Sequence, residues 1–230
     1  MLRSWLRTAR QYCNDHGITM PDDLTDALKS TLDLSGIASE YSAAIIDAMQ
    51  GFAFDDAHMV TSRNLFIKAM ARSFAAAFDL GYEDGGGDPN NMDAAANDWF
   101  GAREDAEREN IIELFRTLKA EMADDPTMDV GSWISDRSAG YVGSLNDVYS
   151  MGKVFGKAGE ALTFDGDDGT ESCPTCQKLK GETHPARWWV ENDLIPTQGN
   201  TNFECGGWRC QHGLKDAQGN WVTLNPVEFT

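Results

Sequence analysis

The sequence predicts a mainly α-helical protein: a helical N-terminal region followed by a small α+β module near the C-terminal end, stapled by zinc. Three observations carry this. Apolar residues recur at helical spacing as far as about residue 158, and beyond Gly159 the aliphatic content falls while turn-forming residues multiply. Four of the five cysteines lie in that last stretch. The division expected is a helical domain over 1–158, with a glycine-rich stretch at 83–91 that can serve as a hinge, and a Cys-rich zinc-binding module over 159–230.

The helices follow in order. Leu2, Trp5, Leu6, Ala9 and Tyr12 form an apolar stripe, with Arg3, Arg7 and Arg10 on the other side and Gly17 as a stop. Pro21 stands near the start of a second helix, with Asp22 and Asp23 where the helix dipole favours them. Ser35 is positioned to cap a third, with Ile37, Tyr41, Ala44, Ile45 and Ala48 inward and Gly51 ending it. A fourth is expected from Thr61 or Ser62 to about Tyr82, burying Leu65, Phe66, Ala69, Ala76 and Phe78. EDGGGDPNN, Glu83 to Asn91, breaks the pattern, and Asn90 or Asn91 can cap a long helix from Met92 to Ala123. Asp124, Asp125 and Pro126 end it, and Trp133 to Phe155 reads as one or two further helices. In the last region Leu162 to Phe164 reads as a short strand and Pro185 to Asn192 as a short helix. Arg209 to Lys215 and Trp221 to Leu224 read as a hairpin.

Composition narrows the function classes. The chain has 230 residues, with 19 Lys and Arg against 37 Asp and Glu, a formal charge of −18. That total opposes binding to a polyphosphate by net attraction. The first 20 residues are the basic exception, with three arginines against one aspartate. They make Arg3, Arg7, Arg10 and Trp5 the candidate contacts to an acidic partner or to DNA; a helix folded back on the bundle is the competing use. No apolar run is long enough to span a membrane, and MLRSWLRTARQYC lacks the continuous apolar core of a secretory signal.

The cysteines are Cys173 and Cys176 in SCPTC and Cys205 and Cys210 in ECGGWRC, that is, C-x2-C, 28 residues, C-x4-C. A C-x2-C turn aims two thiolates at one ion, and a second pair from a distant loop completes a tetrahedron, which suits structural Zn²⁺. His212 and His184 are reserve ligands. Two disulfides or a redox C-x-x-C are the rival chemistries. The unpaired Cys13 and the missing signal sequence oppose the first, and the absence of a βαβ pattern opposes the second. Asp165, Asp167 and Asp168 lack the glycine and terminal glutamate of an EF-hand loop. Four thiolates leave no open coordination position for water, and no H-x-E, H-E-x-x-H, G-x-S-x-G or phosphate-loop motif is present. The expectation is a protein without catalytic residues.

ALTFDGDDGTESCPTCQKLKGETHPARWW (Ala161 to Trp189) and FECGGWRCQH (Phe203 to His212), behind a long helical region containing AAFDLGYEDGG (Ala76 to Gly86), resemble the Mu-like phage head morphogenesis or minor head proteins. In that family the second stretch typically ends H-P-N-C-R-C. Here Cys205 stands in place of the histidine, Trp208 in place of the first late cysteine, and Arg209-Cys210 match the R-C. The resemblance implies a few-copy, non-enzymatic head protein that associates with the portal and other head proteins and supports head assembly or DNA packaging and delivery. It would be found in the virion, and in the host cytoplasm during assembly. The alternatives carried forward are a zinc-containing nuclease or toxin-type effector, and a zinc-ribbon adaptor in a cytoplasmic complex.

Overall fold

The computed structural model describes residues 34–50, 56–166, 172–207 and 210–223. The expected first two helices, with Arg3, Trp5, Arg7 and Arg10, lie outside the described residues. So do Asp167, Asp168, Trp208 and the end of the expected hairpin. What is described is mainly helical, with a small antiparallel sheet towards the C-terminal end. No described helix is long and apolar enough to cross a membrane.

Helix α1 spans Leu34–Gln50 and buries Ile37, Tyr41, Ile45, Ala48 and Met49, the stripe that 3.6-residue spacing requires. Ser35 falls inside its first turn rather than before it. Helix α2, Asp56–Asp84, starts earlier than expected. Its buried stripe is Ser62, Phe66, Met70, Phe74, Ala77 and Phe78. Leu65, expected inward, is 50% exposed: the stripe follows i, i+4 from Ser62, which rotates Leu65 out to the flank.

Helices α3 and α4 complete the bundle. The chain turns through Gly85 to Asp88 and a 3-10 turn at Pro89–Asn91. Asn90 and Asn91 are used inside that turn, which Asp88 caps by accepting from Asn90 N at 2.9 Å. The cap of α3, Ala94–Asp124, is therefore Asp93, whose carboxylate accepts from Ala96 N at 2.8 Å. Only a narrow seam of α3 is buried, Ala96, Glu107, Ile111, Phe115 and Leu118, and its outer face carries pairs such as Arg108–Glu104 at 3.3 Å. Helix α4, Val130–Gly156, is one unbroken helix. It lies closest against α2, where Gly81 and Gly85 face Gly152 and Gly156. A Cβ on any of the four would collide with a backbone carbonyl or Cα of the opposite helix. Gly152 and Gly156 on α4 and Gly81 on α2 with Gly85 just past its end bring the backbones into contact, and Phe78, Tyr82, Val154 and Phe155 are buried.

Strand β1, Ala161–Gly166, is the centre of a three-stranded sheet in the order β2-β1-β3, antiparallel throughout. β2 is Thr183–Pro185 and β3 is His212–Lys215; Leu162 faces His184, and Phe164 faces Leu214. Two short helices follow the strands, α5 (Pro174–Leu179) and α6 (Ala186–Glu191), and α6 packs on the sheet through Trp189. Among the described residues, the expected hairpin is seen next to its turn, as a bridge between Lys215 and Trp221 and a bond from Val222 N to Leu214 O at 2.8 Å. β3 pairs along its length with β1. Trp189 is fully buried, stacks on Phe164 with centroids 5.8 Å apart, and donates its indole N–H to Leu162 O and His184 O. Both ends of its amphipathic side chain are therefore satisfied.

The sheet module rests on the last turns of α4. Lys153 Nζ donates to Trp221 O at 2.9 Å, Lys157 stands 4.0 Å from Asp216, and Gln198 N donates to Asp147 Oδ2 at 3.0 Å.

Candidate metal centre

Cys173 is the residue before α5, with Pro174 at the first helical position; Cys176 follows one turn later. Proline begins a helix at no cost because the N–H it lacks would have no partner there. The C-x2-C is therefore the first turn of a helix rather than an open loop, and residues three apart on a helix share a face. Both sulfurs are buried.

The second pair arrives on a loop. Cys205 sits in a turn closed by Gly206 N to Phe203 O at 2.8 Å, and both following glycines have positive φ, 62° at Gly206 and 72° at Gly207. A side chain at Gly207 would also strike Thr197 O. Only glycine meets both demands. Cys210 lies two residues before β3, so its place is set by the sheet.

The four cysteines are free thiols, and they converge. Cys173, Cys176 and Cys205 form one group of donors within 4.8 Å of one another, and Cys176, Cys210 and His212 form a second. Cys176 belongs to both. Its sulfur stands 3.5 Å from that of Cys210, well beyond a disulfide bond. Four cysteines and a histidine thus lie close enough together to hold a metal ion. His212 is buried, stacks on Phe164 with centroids 5.7 Å apart, and its Nε2 has no hydrogen-bond partner. A buried ring nitrogen without a partner, beside clustered thiols, fits a site whose remaining bonds are made to a cation. His184 lies apart from this group: it stacks on Trp188 at 3.7 Å and faces Glu182 at 3.5 Å.

The thiols perturb one another. The hydrogen bond between Cys176 and Cys210 pulls Cys210 below the usual thiol range and pushes Cys176 up, with burial adding to the latter. Burial raises Cys205 to about 11. Metal binding at such a set releases protons, so its affinity weakens as the pH is lowered.

Two features around the site have no signal in the cysteine spacing. Glu204 spans from the second loop to the first, accepting from Thr175 N and Thr175 Oγ1, both at 3.1 Å. Backbone N–H bonds, first its own and then that of Thr175, hold its carboxyl down at about 2. Asp147 on α4 is the other. Burial pushes its carboxyl up to about 6, while the Gln198 N–H and nearby Arg103 act in the opposite direction. Gln198 belongs to the loop under the second cysteine turn, where Gly199 N donates to Gly206 O at 2.8 Å. Asp165, the described part of the acidic turn, pairs with Lys215 at 2.7 Å.

No family model, no curated protein and no solved structure matches this chain.

Proposed function

We propose that this chain is a non-enzymatic minor head protein of a tailed phage or prophage, which associates with the portal and supports head assembly or DNA packaging and delivery. Structural Zn²⁺ held by Cys173, Cys176, Cys205 and Cys210 staples its C-terminal module. The observation that carries this reading is the convergence of the two cysteine pairs. In the two stretches on which the resemblance rests, 28 residues separate Cys176 from Cys205, yet the thiols of the two pairs meet in one cluster. Soft thiolate donors in fourfold arrangement favour zinc over harder cations. When bound, the ion supplies cross-linking rather than chemistry, and His212 is the buried side chain placed to replace a thiolate or to orient one.

The rest of the molecule suits a binding role. A rigid bundle with a charged outer helix presents a fixed surface, and the strong negative charge keeps the body from binding DNA indiscriminately. Arg3, Arg7, Arg10 and Trp5 are the proposed contact to the portal or to packaged DNA.

The test is co-expression with the portal protein of the phage or prophage that carries it, followed by purification, elemental analysis and thiol titration. About one zinc per chain and a co-purifying portal are expected; replacing Cys176, which both donor groups share, by Ala should abolish the zinc and the association. Replacing Arg3, Arg7 and Arg10 by Glu should abolish the association alone. Nicking of a plasmid in Mg²⁺ would replace this reading by a nuclease. Zinc without portal would replace it by the adaptor.

A further inference from the structure

We propose that Glu204 is the positioning residue of the metal centre, a carboxylate strap that ties the second cysteine turn to the first. The inference rests on the metal reading above. Cys173 and Cys176 are fixed by α5, and Cys210 is fixed by its closeness to β3. Cys205 has neither support. It is half-buried, and it sits in a turn followed by two glycines.

Glu204 immediately precedes it. Its Oε2 accepts the Thr175 backbone N–H and its Oε1 accepts the Thr175 hydroxyl, each at 3.1 Å. Thr175 lies between Cys173 and Cys176, so a two-point bond joins the residue beside Cys205 to the interior of the C-x2-C turn. Two parallel hydrogen bonds to one carboxylate fix orientation as well as distance. The carboxylate is not one of the grouped donors. It serves the site by holding Cys205 where the other three sulfurs already are, which removes the loop-ordering cost from the moment of metal uptake.

The experiment uses the full chain, purified metal-free under reducing conditions, with Zn²⁺ titrated against a chromophoric chelator. Outer partners of metal ligands typically contribute about 10–100-fold to affinity, and a loss in that range is expected for Glu204→Ala. Thr175→Val removes one of the two bonds and should lose less. The double variant should be no weaker than Glu204→Ala, because both changes cut the same strap. Thiol labelling of the zinc-loaded variant separates positioning from general damage: Cys205 should react first while Cys173, Cys176 and Cys210 stay protected. Simultaneous exposure of all four thiols would reduce Glu204 to an ordinary structural contact and overturn the proposal. Affinity within twofold of wild type for Glu204→Ala, with wild type binding zinc, would overturn it too. Should Glu204→Ala fail to fold, Thr175→Val with selective labelling of Cys205 decides the question. A wild-type chain that takes up no zinc would instead overturn the metal reading itself.

Discussion

Asp147 shows what one residue's surroundings contribute. Its carboxyl stands at about 6 because burial penalises the charged form more than the Gln198 N–H and Arg103 favour it. In the unfolded chain it returns to about 3.9. A native value above the unfolded one means the folded state binds the proton more tightly. The ionised carboxylate is then a penalty on folding that is complete above pH 6 and fades as the pH falls towards 4. A shift of roughly two units sets its upper limit near 3 kcal/mol. Asp147→Asn keeps an acceptor for Gln198 and removes the penalty. Urea unfolding at pH 8 should show the variant more stable by about 1–3 kcal/mol, and the gap should close between pH 6 and pH 4. A gap that does not change with pH would show that burial does not govern this group. Nothing in the sequence around Asp147 marks it among the 37 acidic residues; its distinction comes from a loop 51 positions away.

Glycine makes the same point for helices. The crossing of α2 and α4 depends on Gly81, Gly85, Gly152 and Gly156, each with a backbone atom of the other helix where a Cβ would go. Gly152→Ala should therefore cost about 2–4 kcal/mol, since backbone cannot move aside as a side chain can. Gly101 on α3 is exposed and has open space where its Cβ would stand. Gly101→Ala should stabilise by up to about 1 kcal/mol through helix propensity and a less free unfolded chain. Thermal melts of the two variants should move in opposite directions. The sequence does not separate the glycines of the crossing from Gly101, because a single-helix pattern does not reveal what lies across from a residue. That is why α4 reads as one or two helices and proves to be one. Strongly periodic segments fare better: Ile37, Tyr41, Ile45 and Ala48 of α1 are buried as their spacing requires, whereas Leu65 misses by one position on the wheel.

At the scale of the whole molecule, the bundle and the module draw on different sources of stability. The bundle buries its own aromatic core, with Tyr41, Phe66, Phe74, Phe78 and Phe115 nearly or fully out of solvent. The module's core is a short stack of Trp189, Phe164, Phe203 and His212. On the proposed zinc reading, binding energy of roughly 10–16 kcal/mol becomes folding energy for a module of this size. Removing metal with a chelator under reducing conditions should therefore erase the near-ultraviolet circular dichroism of Trp189 while the far-ultraviolet helical signal largely persists. Loss of both signals together would mean that Lys153, Asp147 and Lys157 couple the module to α4 strongly enough for the two to unfold as one.

The sequence by itself determined the mainly helical class with a small sheet towards the C-terminal end, and the four cysteines that lie close together in the fold. Each of these is written in local spacing, which short-range geometry translates directly: 3.6 residues for a helix, three positions for two ligands on one turn. Only the tertiary structure decided which histidine joins the donors, His212 rather than His184, and that Glu204 straps the two cysteine turns together. It also decided that α2 and α4 meet backbone to backbone, and that β3 pairs along its length with β1. These depend on which distant segments come to share one place, and residue spacing along the chain carries no record of distances across it.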